Sequence, residues 1–156
     1  GDETWIYHGR WRNVEFQQLG TSDNDGKNVA RNYWGGVGLA RLPRDRWGAL
    51  ALSEEAEAGS AWTTPVMLTA DSRVLVNASG LPGLRFEIAD ERFQPLPDFG
   101  EGVADDATHD ALATEVRWKN RSLRELAGQT VRFRIHFSRQ TDIEPRLYAL
   151  NFIQAP

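Results

Sequence analysis

Residues Val131 to Phe137 alternate apolar and polar side chains without a break: Val131, Phe133, Ile135 and Phe137 against Arg132, Arg134 and His136. Period two is the signature of a strand with one buried and one wetted face. Glu115 to Lys119 repeats the pattern on a smaller scale, with Trp118 in phase with Val116 and so assigned to the core. Between them lies a Leu-rich turn, Ser122 to Ala127, that ends at Gly128. Helical periodicity persists nowhere for more than about two turns.

Further strands are expected at residues 4–11, 33–42, 49–52, 61–68, 73–78, 84–89 and 147–153, where β-branched and aromatic residues lie between turn formers. Short links of Gly, Pro, Asp or Ser join most of them. Exceptions are the polar loop at 20–32 and the link at 94–113, which carries an acidic patch at Asp105, Asp106 and Asp110. Many short strands with almost no helix predict an all-β fold. The expected form is a two-sheet antiparallel β-sandwich, jelly-roll or concanavalin-like. At 156 residues the whole chain is read as one domain, with 1–48 leading into a sandwich core at 49–156.

The formal charge of -4, with two lysines against sixteen arginines, disfavours a nucleic-acid partner. Absence of cysteine excludes disulfides and thiolate metal sites. No apolar run is long enough for a membrane helix.

Seven short motifs in order then resemble a known module. They are Thr63-Thr-Pro-Val-Met-Leu68, Leu75-Val-Asn-Ala78, Gly83-Leu-Arg-Phe-Glu-Ile88, Pro95-Leu-Pro-Asp-Phe99, Val116-Arg-Trp-Lys119, Leu126-Ala-Gly128 with Val131-Arg-Phe-Arg134, and Leu147-Tyr-Ala149 with Phe152. Together they look like the C-terminal β-sandwich that follows the five-bladed catalytic propeller of family-32-like glycoside hydrolases. Asp2 to Gly9 and Gly36 to Arg41 resemble the last propeller strands leading into that module. The chain is too short to hold such a propeller, and no segment corresponds to the early blades that carry the family's catalytic carboxylates. The ending is interrupted by Gln140 to Pro145. The resemblance therefore implies a fold, an oligo- or polysaccharide partner and an extracellular or periplasmic setting, without a catalytic pair. A glycosidase catalytic domain or a second copy is the expected protein partner.

Six tryptophans favour sugar stacking, because pyranose rings present apolar C–H faces. Tyr33 and Trp34, followed by two glycines, form the expected platform, with Trp11 beside it and polar help from His8, Asp23 and Asp25. The plainer alternative makes strand-end tryptophans caps on the core, and Trp47 and Trp62 also lie at strand ends. A hydrolytic dyad would need two converging carboxylates. Glu54, Glu55, Glu57, Glu87, Asp105, Asp106 and Asp110 are available, and Glu87 reads better as a cross-strand ion-pair partner. No cofactor is expected. Asp23-Asn-Asp-Gly26 carries oxygen ligands that calcium accepts but departs from the helix–loop–helix spacing, and such a loop is more often an Asx turn. The separated His8, His109 and His136 could meet at copper or zinc only through the fold. Arg85, Arg117, Arg132, Arg134 and His136 form a last constellation, a basic stripe suited to uronate or sulfate, or else a solvated face neutralised by Glu87 and Glu115.

Overall fold

The structure is a computed structural model that describes residues 1–12, 34–104, 109–140 and 143–154. Contacts divide the chain into two compact units, Gly1–Arg44 and Asp45–Pro156. Where the sequence reading takes one domain with a junction near residue 48, the division falls at the turn that Pro43 begins.

The described residues of the first unit form a two-stranded antiparallel hairpin of β1 (Glu3–Arg12) and β2 (Trp34–Pro43). Trp5, Tyr7, Val37 and Leu39 are exposed, and the register puts them on one face, with Tyr7 directly opposite Leu39.

The second unit is the sandwich. One sheet centres on β10 (Thr130–Ser138), the strand with the strict alternation. Along one edge runs β7 (Leu84–Asp90); along the other run β4 (Ala58–Trp62) and β5 (Val66–Met67) in succession. The second sheet orders β3 (Leu50–Ala51), β11 (Arg146–Ile153), β6 (Arg73–Ser79), β9 (Asp110–Arg117) and β8 (Val103–Ala104). Every pairing is antiparallel.

Two differences from the sequence reading have local causes. The strand expected at 61–68 is broken, because Pro65 has no N–H for the ladder. Thr63 bridges the break: its N–H donates to the Phe133 carbonyl at 2.9 Å and its hydroxyl accepts from the Phe133 N–H at 3.0 Å. The link at 94–113, read as irregular, contains β8. Upstream of β8 the link lies against β7, with Leu96 N–H on the Ile88 carbonyl and Gly102 bridged to Phe86. It thus covers the open edge of one sheet and then adds a strand to the other, a protected edge rather than a bare one.

Val131, Phe133, Ile135 and Phe137 are buried, as their phase requires, and face Val74, Val76, Ala78, Val116 and Leu147 from the other sheet in one core. Phe133 meets Phe152 at 5.0 Å and Trp118 at 6.2 Å between ring centroids. The Trp118 indole N–H is shared by the carbonyls of Phe86 (3.2 Å) and Phe99 (3.0 Å), so the largest core ring also satisfies its polar atom. Each such buried aromatic contributes about 2–3 kcal/mol through lost water contact. The Ser122 turn is a short 3₁₀ segment, Leu123–Leu126, with a reciprocal capping box between Ser122 and Glu125. Leu123 and Leu126 plug the core beneath it.

Candidate functional site

Alternation that buries the odd residues of β10 delivers Arg132, Arg134 and His136 to the outer face of its sheet, all half-buried. Cross-strand register then selects their neighbours. Arg134 lies between Glu87 on β7 and Trp62 on β4; His136 lies between Arg85 and Ser60. Glu87 is only 9% exposed. Its carboxylate meets His136 Nε2 at 2.7 Å and Arg134 Nη1 at 3.6 Å. The cross-strand role expected for Glu87 is therefore the one it has.

At the β4 side the face turns aromatic. Trp62 and Phe93 stand edge to face, 5.1 Å apart at 87°. The Arg134 guanidinium lies 5.2 Å from the Trp62 ring centre and that of Arg132 lies 4.4 Å from Phe93. At these distances the ring quadrupoles attract the guanidinium charges. Arg132 is further tied by Nε to the Glu91 carbonyl (3.2 Å) and by Nη1 to the Thr63 carbonyl (3.1 Å). Arg134 Nε donates to Ser60 Oγ at 3.1 Å. The result is a mutually bonded mosaic of two rings, two guanidinium groups, an imidazole and a carboxylate.

Phe93 is placed there at a cost. Its φ is +65°, a left-handed conformation that a bulky residue rarely adopts and that costs about 1–2 kcal/mol. The turn is held from outside: Asp90 Oδ1 accepts from the N–H groups of Arg92 and Gln94, both at 2.8 Å, and the Phe93 N–H donates to the Asp90 carbonyl. Strain of this kind gathers at sites of function. Phe93 remains 47% exposed. Sequence reading missed it; the available signal was Asp90, an Asx-turn initiator two residues before Arg92.

The basic stripe expected from the sequence assembles in part. Arg85, Arg132, Arg134 and His136 share this face, whereas Arg117 belongs to β9 in the other sheet and pairs with Glu115 at 2.9 Å. Alternation fixes which way a side chain points but not which sheet carries it. Of the residues expected on the hairpin platform, His8, Trp11 and Trp34 lie in the described strands. His8 is exposed on β1 with its ring across Gly38, where a Cβ would stand 2.5 Å from the imidazole. Trp11 is in register with Gly35 and Trp34 with Arg12. Tyr33, Asp23 and Asp25 lie outside the described residues.

Among the described residues the candidate acids do not converge. Glu87 and Asp110 sit on different sheets, the latter paired with Arg46. Glu54, Glu55 and Glu57 are exposed, and Asp105 and Asp106 lie outside the described residues. Among the described residues no three His, Asp or Glu side chains gather as a metal-ligand set. Two clefts flank the segment Trp118 to Arg121 on the sandwich, of about 620 and 940 Å³. Between them Arg121 bridges Asp98 (2.5 Å) and Glu125 (2.8 Å). Hydrogen bonds from those two acids, reinforced by their charges, raise the Arg121 pKa. Glu125 is held below the ordinary carboxylate range, first by the Ser122 backbone N–H and then by Arg121.

Comparison with protein-family models, with curated proteins and with solved structures finds no match for this chain.

Proposed function

We propose that this protein is a non-catalytic, carbohydrate-associated β-sandwich module that binds an oligo- or polysaccharide on the outer face of β4, β10 and β7. The observation that carries the reading is the Trp62–Phe93 pair, set in a ring of fixed polar donors and acceptors, with Phe93 held there against its backbone preference. Apolar ring faces suit sugar C–H faces, while Arg132, Arg134, Ser60 and His136 present the hydrogen-bonding groups that hydroxyls need. The proposal places on this face the aromatic platform that the sequence reading expected at Tyr33 and Trp34, and keeps the function that reading expected. The test is isothermal titration of wild type and Trp62→Ala against plant and microbial glycans. At least one glycan is expected to bind, with affinity at least tenfold weaker in the variant. Unchanged affinity would remove the platform from this face.

The hairpin favours a second reading, a structural domain that pairs with another copy of itself. A two-stranded sheet is marginal in water by itself, and among the described residues β1 and β2 expose Trp5, Tyr7, Val37 and Leu39 on one face. Sedimentation equilibrium decides it: concentration-dependent dimers that Tyr7→Ser weakens support the reading, and a monomer at all concentrations rejects it.

A further inference from the structure

We infer that the glycan taken by the β4–β10–β7 face is an acidic one, carrying carboxylate or sulfate groups; this rests on the binding role proposed above for the same face.

The argument is one of uncompensated, pre-oriented charge. Among the described residues of β4, β10 and β7, Arg85, Arg132 and Arg134 share the face with one carboxylate, Glu87, which already receives His136 at 2.7 Å. Arg132 is anchored through two backbone carbonyls and an aromatic ring, none of which neutralises it. Arg85 is likewise anchored on the carbonyls of Pro82 and Leu84. Arg134 has only the 3.6 Å contact to Glu87, its Nε being spent on a neutral hydroxyl. In both Arg132 and Arg134 the anchoring uses Nε and Nη1, which leaves Nη2 for a ligand.

Anchored guanidiniums lose little further entropy on binding, and each can donate from its remaining Nη2 to a charged oxygen in a charge-assisted hydrogen bond. They stand two residues apart on one strand, roughly 7 Å along its axis, so consecutive acidic groups of one chain can reach both. The overall charge of -4 repels polyanions, so local geometry must supply the attraction. A neutral sugar would leave three cations beside one carboxylate with nothing gained from the arrangement.

Isothermal titration at low salt with matched pairs tests this: oligogalacturonate against its methyl ester, and a sulfated galactan fragment against its desulfated form. In at least one pair the charged member is expected to bind at least tenfold more tightly, with the preference shrinking as salt rises. R132Q and R134Q should each reduce that preference several-fold, with folding checked by thermal unfolding. R124Q, on the 3₁₀ turn, should leave it intact. Equal binding of charged and neutral members overturns the inference while the glycan-binding role survives. A preference untouched by both R132Q and R134Q also overturns it. Equally tight binding of poly-glutamate overturns the glycan assignment, and failure of every glycan to bind defeats the proposed function and this inference together.

Discussion

Glu87 and His136 meet at 2.7 Å although they are not opposite one another; the residue in register with Glu87 is Arg134, whose distance to that carboxylate is longer, at 3.6 Å. The carboxylate therefore leans along the diagonal of the sheet, where cross-strand neighbours remain in reach. Its burial makes that lean consequential, since a buried carboxylate needs partners and its partners lose their counter-charge without it. Glu87→Ala is expected to lower stability by about 2 kcal/mol. Urea unfolding should record a lower midpoint at unchanged slope, and an unchanged midpoint would show the pair to be idle.

Phe93→Asn separates stability from binding. Asparagine tolerates the left-handed backbone that strains phenylalanine, so relief of about 1 kcal/mol offsets the lost ring contacts. Stability is expected within about 1 kcal/mol of wild type, while glycan affinity falls several-fold. A variant that binds as well as wild type would show that the strained ring serves packing alone.

Much of this fold was legible because β10 alternates strictly, which identified its buried residues and, through Val116, the core position of Trp118. The break at Pro65 was missed, one strand being expected across 61–68, although proline cannot serve the ladder that the flanking residues form. Phase could not assign Arg117 to a sheet, because inward and outward look the same on both. Nor could local pattern find Phe93 or pair it with Trp62, which is thirty-one positions away and reached only by the turn after β7. The hairpin platform was drawn from neighbouring aromatics, Tyr33 and Trp34, whereas the observed aromatic pair joins distant segments.

Arg46 closes the outer face of the second sheet. Its Nε donates to Asn77 Oδ1 at 2.9 Å, its other nitrogens reach Asp110 and the Ala111 carbonyl, and its plane lies 4.4 Å from the Tyr148 ring centre. Asn77 and Tyr148 both sit where strand registers shift, so one guanidinium pins two bulges. Arg46→Ala is expected to cost about 2 kcal/mol. Arg46→Lys should recover little of it, because an ammonium cannot reproduce the fork. Full rescue by lysine would reduce the contact to charge alone.

Gly102 is required by the tryptophan beside it. A Cβ there would stand 2.5 Å from Trp118 Cε2, and the indole is held by two carbonyls. Gly102→Ala should destabilise by about 1–3 kcal/mol through overpacking, read as a lower thermal midpoint with altered tryptophan fluorescence. Wild-type stability would mean the ring can retreat.

Acid sensitivity follows from two depressed carboxylates. Glu125 is lowered by the Ser122 N–H and Arg121; Glu144 is lowered by its hydrogen bond to Arg146 and that residue's charge. Each stabilises the fold fully above the ordinary value of 4.5 and loses that contribution as pH falls through its lower folded value. The thermal midpoint is thus expected to drop below about pH 4.5, and Glu125→Gln should flatten that decline. An acid limb identical in the variant would exclude the capping box as a source.

Nuclear magnetic resonance titration with the tightest-binding glycan tests the central claim most directly, because each of the six tryptophans reports through its own indole N–H. The account predicts shifts concentrated at the Trp62 indole and at the backbone amides of Ser60, Phe93, Arg132 and Arg134, with Trp118 unmoved. Shifts confined to Trp5, Trp11 or Trp34, with the β4–β10–β7 face silent, would contradict it.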